Sequence, residues 1–136
     1  MAWAVDTCIV LDVANDDPSF GRSSAAWLHK ELGNGLVVCP VTTVELAPQF
    51  NSDPRHQEAF LRGCGIDASE PWLWADTLAA HAAWGRYVER KRAAVTFRRP
   101  AADILIGAFA CRFEGLATRN PDHFAPLFPG LEWVVL

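Results

Sequence analysis

The sequence predicts an α/β fold: a mostly parallel sheet of four to five strands with helices on both faces, in one domain over residues 1–136. The predicted strands are short, apolar and rarely alternating, the pattern of strands buried on both faces. Segments of helical length separate them, as the crossovers of a parallel sheet require. A chain of 136 residues that is 51% hydrophobic also has the size and content for one core.

Ala2–Val5 is apolar and followed by a polar residue, and reads as the first buried strand. Thr7–Val13 continues apolar at helical length, until Asp16-Asp17-Pro18 breaks it. Ser19 or Phe20 opens a second helix running to about Leu32, with Ala25, Ala26, Leu28 and Leu32 as its apolar stripe. Gly33-Asn34-Gly35 stops that helix sharply. Leu36–Cys39 is the next buried strand and Pro40 ends it. Thr42 or Thr43 can cap a short helix carrying Glu45 and Leu46, kept short by Pro48.

Residues 54–62 suggest another short helix, and residues 63–73, with Gly63, Gly65 and Pro71, read as irregular. A long helix is expected from about Trp74 to Ala94, with Trp74, Leu78, Ala82, Gly85 and Val88 on its apolar side. Pro100 precedes a helix over Ala101–Phe113, as a helix start prefers, and Gly115 closes it. Leu116–Thr118 is a short strand. Asn120-Pro121 turns the chain into one helical turn near Asp122–Leu127, and Pro129-Gly130 precedes a final strand, Leu131–Leu136.

Nothing in the chain reads as a linker, a repeat or a low-complexity tract. The formal net charge is −4, which does not exclude a nucleic-acid partner, because charge location matters more than its sum. Arg86, Arg90, Lys91, Arg92, Arg98 and Arg99 face only Glu89 within residues 86–99. That cluster reads either as an RNA-steering surface or as a solvated helix end. The four cysteines show no C-x-x-C spacing, which argues against structural zinc; Cys8, Cys39 and Cys111 read as small core residues. A basic leader is lacking at the N-terminus, and no run approaches the roughly 18 apolar residues of a membrane span. A reducing cytoplasm without membrane association is the expectation.

Four acidic islands carry the chemistry: Asp6, Glu45, Asp103 and the Asn120/Asp122 pair. Ligands of open parallel sheets bind outside the carboxyl ends of the strands. Asp6 follows the first strand, Glu45 lies shortly past the second, Asn120 follows Leu116–Thr118, and Asp103 opens a helix entering from that rim. Carboxylates gathered there need a counter-charge, and Mg2+ or Mn2+, which prefer oxygen ligands, would supply it. Each island also has a plain structural reading. Asp6 would cap its helix, Glu45 would be a solvated helix residue, Asp103 would favour a helix dipole, and Asn120 and Asp122 would serve a turn and a cap.

Taken in order, VDTCIVLDV, TTVELAP, RRPAADILIGAFA and LATRNPDHF resemble the four motifs of PIN domains, and the whole chain resembles VapC-type toxins. The resemblance implies a PIN-like three-layer α/β/α fold and a Mg2+- or Mn2+-dependent endoribonuclease. It also implies a VapB-type antitoxin and a toxin homodimer. By matched position, Asp6, Glu45 and Asp103 would bind metal, with Asn120 the fourth member of the site. Asp122 or His123 stands as the alternative at that fourth place, and the number of metals, one or two, stays open. Thr7 and Thr118 would orient the acids, while Arg98, Arg99 and Arg119 would meet RNA phosphate. A non-catalytic PIN-like module that grips RNA or a protein is the alternative. A phospho-acceptor domain of similar architecture is disfavoured, because no lysine follows Lys91. Of the tryptophans, Trp27, Trp74 and Trp84 read as core or interface residues, and Trp72 as freer to be exposed.

Overall fold

A computed structural model describes residues 1–92 and 100–136. Among the described residues five strands form one sheet: β1 (Trp3–Val5), β2 (Leu36–Val37), β3 (Ile66–Asp67), β4 (Leu116–Thr118) and β5 (Trp133–Val135). Their order is β3-β2-β1-β4-β5, and every neighbouring pair is parallel. Among the described residues the α-helices are α1 (Thr7–Ala14), α2 (Gly21–Glu31), α3 (Pro40–Glu45), α4 (Pro54–Gly63), α5 (Trp74–Arg92) and α6 (Ala101–Ala110).

The period-two geometry of strands divides the interior into two cores. Ala4, Val37 and Leu116 face one side, where α5 and α6 supply Ala83, Tyr87, Ile104 and Phe109. Val5, Leu36 and Ile66 face the other, where α1, α2 and α4 supply Ile9, Val10, Leu28 and Leu61. The sheet is therefore sandwiched between two helical layers, as expected from the apolar strands.

Several expectations change in detail. The segment read as irregular contains β3; two residues, one of them the polar Asp67, are too short a signal beside Gly63 and Gly65. The short helix begins at Pro40, not at a threonine cap, and Thr42 is instead fully buried. α6 ends at Ala110, and Gly115 precedes β4, where a side chain would meet the Glu132 carbonyl and the Trp3 ring. The turn after Asn120 is a 3-10 turn over Pro121–His123, and the last strand shortens to Trp133–Val135. Cys111 is exposed, unlike the buried Cys39.

Two helix faces are rotated from those expected, with only Leu28 of one expected stripe buried and only Val88 of the other packed against the core. On α2, Gly21, Ser24 and Leu28 are buried, while Ala25, Ala26 and Leu32 are exposed. On α5, Asp76, Ala80, Ala83 and Tyr87 are buried, while Trp74, Leu78, Ala82 and Gly85 face solvent. Trp74 is 72% exposed and Trp84 48%, so neither belongs to the core. Trp72 is half-buried against the core and donates its indole N–H to Thr77 Oγ1 at 2.9 Å. The end of the predicted long helix, Ala93 and Ala94, and the RNA-contact candidates Arg98 and Arg99 lie outside the described residues.

Candidate active site

The reversal of strand order falls between β1 and β4, which are neighbours in space and distant in sequence. A switch of this kind opens a crevice above the strand ends, where ligands bind. Asp6 leaves β1 at this point and becomes the N-cap of α1, with extended backbone (φ −70°, ψ 151°). Its Oδ1 accepts the Thr7 backbone N–H at 2.8 Å. Its Oδ2 accepts the Thr118 hydroxyl at 2.7 Å, with the Cys8 thiol at 3.5 Å. Capping accounts for one oxygen only; the other is held by the end of β4.

Asp6 is 6% exposed. Burial pushes its carboxyl pKa above the ordinary value, and the nearby charge of Asp103 pushes in the same direction. The hydrogen bonds from Thr118, Cys8 and Thr7 oppose the shift without cancelling it. The Cys8 thiol is pushed up to about 12 by burial and by the charge of Asp6.

Thr7 links the second island. Its hydroxyl donates to Glu45 Oε1 at 2.7 Å and lies 3.0 Å from the buried Thr42 hydroxyl. Glu45 is the last residue of α3 and is exposed at the rim. Asp103 stands in the first turn of α6, with a side chain 14% exposed, and its Oδ2 lies 3.6 Å from His123 Nδ1. Asn120 donates its backbone N–H to Thr118 Oγ1 at 3.0 Å. Asp122 is exposed in the 3-10 turn.

The structure thus brings Asp6, Thr7, Thr118 and Glu45 into one hydrogen-bonded neighbourhood and sets Asp103 close enough to Asp6 to raise its pKa. Among the described residues, no three His, Cys, Asp or Glu side chains converge closely enough to hold an ion as they stand. The donor chemistry nevertheless suits a hard cation. The donors are oxygens, and burial together with the Asp103 charge raises the pKa of Asp6, a shift that a neighbouring cation would oppose. A cavity of about 650 Å³ lies beside Thr43, Leu61 and Ile66, and none of Asp6, Glu45 or Asp103 lines it. Of the three, Glu45 is exposed, whereas Asp6 is buried and Asp103 nearly so.

Arg119 is not turned outward. Its Nε and Nη2 donate to Asp12 Oδ2 and Oδ1 at 2.7 and 2.8 Å, and its guanidinium lies 4.3 Å from the centroid of the Phe20 ring. Asp12, 3% exposed, was not singled out in the sequence. An aspartate six residues beyond Asp6 in an apolar helix was the one available signal, and it resembles a solvated residue.

No protein-family model matches the sequence, and no curated protein matches it. Among solved structures, the chain is similar to a chain of VapBC2 from Rickettsia felis, crystallised bound to a DNA fragment from their promoter. The TM-score is 0.69 at 17% identity, covering 100% of this chain and 99% of the other. At that identity the likeness speaks for architecture alone. A fully parallel five-stranded sheet between two helical layers, superposable end to end on that structure, makes the fold PIN-like.

Proposed function

We propose that this chain is the toxin of a toxin–antitoxin pair, acting as a Mg2+- or Mn2+-dependent endoribonuclease on cellular RNA in the cytoplasm. The observation that carries the reading is Asp6. Its carboxylate is buried at the switch point of a PIN-like sheet and held by two directed hydrogen bonds. A second carboxylate, Asp103, sits close enough to raise its pKa.

In this reading Asp6, Asp103 and Glu45 hold the cation, and Asn120 is a neutral fourth partner, with Asp122 or His123 as the alternative. A bound cation would supply activation of water and neutralise charge developing on the phosphodiester. Thr118 and Thr7 aim the carboxylates, through the hydroxyl contacts to Asp6 and Glu45. Glu45 is exposed and, among the described residues, its carboxylate is hydrogen-bonded by Thr7, which leaves it free to swing toward an ion shared with Asp6. Arg98 and Arg99 would steer the RNA backbone. Arg119 has the Nε/Nη2 edge of its guanidinium committed to Asp12, so a phosphate meeting that edge would have to compete with a buried carboxylate for it. A VapB-type antitoxin would cover the site, and the toxin would form a homodimer.

The test is cleavage of cellular RNA by the purified chain with Mg2+ or Mn2+, and by folded Asp6→Asn and Asp103→Asn variants. We expect cleavage to vanish with EDTA and to fall at least a hundredfold in both variants. Full cleavage by both would sink the reading. The absence of a converged three-ligand cluster among the described residues favours a second reading, a PIN-like module that binds RNA or protein without cleaving. It predicts RNA binding indifferent to EDTA.

A further inference from the structure

The Asp12–Arg119 pair stands apart from the acids but is wired into them. Thr118, Arg119 and Asn120 are consecutive, and all three side chains or amides are engaged. The Asn120 N–H donates to Thr118 Oγ1 at 3.0 Å. That leaves the hydroxyl proton of Thr118 for Asp6 Oδ2, 2.7 Å away. The peptide that presents this N–H is the one joining Arg119 to Asn120. Fixing Arg119 therefore fixes the direction of the proton that supports Asp6.

The attachment of Arg119 is strong in kind. It is a bidentate guanidinium–carboxylate contact, the geometry that carries both energy and direction. Asp12 is 3% exposed and also lies 3.4 Å from the Ser24 hydroxyl of α2. The Phe20 ring covers the guanidinium. Asp6 caps the N-terminus of α1 and Asp12 lies in its later part, about 9 Å further along the axis at 1.5 Å per residue. The loop after β4 is thus pinned to α1 at two separated points. One pin alone would let the loop pivot about the Thr118–Asp6 contact.

We propose that Arg119 is a positioning residue. Clamped to Asp12, it holds the Arg119–Asn120 peptide so that Thr118 presents Asp6 to its cation, and it thereby sets the cation affinity of the site. This inference rests on the metal-dependent reading above. The Arg112–Asp76 pair, a similar ion pair bracing α5 against the end of α6, supplies the control, because its contacts, which include Glu70, are away from Asp6, Glu45 and Asp103.

The experiment uses the full chain as wild type, Arg119→Lys, Asp12→Asn and the control Arg112→Lys. Two quantities are measured: amide hydrogen exchange at Asn120 without metal, and Mn2+ affinity by titration followed by electron paramagnetic resonance. Lysine keeps the charge but not the fork. We expect Arg119→Lys to exchange the Asn120 amide about tenfold faster and to bind Mn2+ about tenfold more weakly, the scale typical of lost outer support. Asp12→Asn should match it where it folds, and Arg112→Lys should change neither quantity. Wild-type values for both quantities in Arg119→Lys, or equal losses in Arg112→Lys, would overturn the proposal. A wild-type chain that binds no Mn2+ would instead overturn the metal-dependent reading, and this inference with it.

Discussion

Asp6 is a residue whose two duties oppose each other. Its burial and the neighbouring Asp103 raise its pKa in the folded chain above the 3.8 of an ordinary aspartate. The folded state thus holds its proton more tightly than the unfolded state does. The stability this contributes is fully present below the unfolded value and is lost as pH rises through the folded one. At neutral pH the ionised carboxylate therefore works against folding. Asp6→Asn should melt a few degrees higher than wild type near pH 7.5, since a difference of about 1 kcal/mol shifts a domain of this size by that much. The gap should close as pH falls toward 3.8, a comparison open to thermal melts across pH. A variant that melts at or below wild type at neutral pH would show that the hydrogen bonds of Asp6 outweigh its desolvation. A residue retained against stability is the pattern expected of a functional site.

At the scale of elements, the two ion pairs explain where the sequence was readable and where it was not. The strands β1 and β4, the helix starts at Thr7 and Ala101, and the breaks at Gly33–Gly35 were legible, because apolar runs and punctuating residues mark them. The buried faces of α2 and α5 were not. The α2 face contacts the buried Asp12 through Ser24, and the α5 face carries the buried Asp76; their partner arginines, Arg119 and Arg112, lie 107 and 36 residues along the chain. A count of apolar residues turns such a face outward, since Ser24 and Asp76 look like solvent residues until their partners are known. Thr7 and Thr118, named in the sequence as partners of the acids, do contact Asp6 and Glu45; the Asp12–Arg119 clamp was not legible, because a pairing across 107 residues leaves no local trace.

The second pair makes its own prediction. Arg112 donates to both oxygens of the fully buried Asp76 and stacks near Phe109 and Phe113. Removing one partner of a buried ion pair strands the other charge. Arg112→Ala should destabilise the chain by about 3 kcal/mol, near the low end of that effect because Arg112 keeps some exposure. Urea unfolding measures it, and a loss below about 1 kcal/mol, the worth of a surface pair, would show that Asp76 finds other partners.

For the whole molecule, the sheet order decides what a partial chain can do. β1 lies between β2 and β4, so residues 1–114 would leave a central strand with an open edge. A chain truncated after Glu114 also lacks Thr118, the Arg119 clamp and the strand that holds Asp6 N–H through the Ala117 carbonyl at 2.9 Å. Such a fragment should show no cooperative melt by near-ultraviolet circular dichroism. A sharp transition would mean that the first four-fifths of the chain folds alone.

That same order has a consequence for synthesis. The Thr118–Asp6 hydrogen bond spans 112 residues, so the first acid of the site waits for nearly the last strand. While a ribosome is still extending the chain, Asp6 is already outside the exit tunnel, yet its supports are unmade. The rim of acids comes together only once β4 has been made and has paired with β1. Until then Asp6 lacks both the hydroxyl and the backbone carbonyl that hold it.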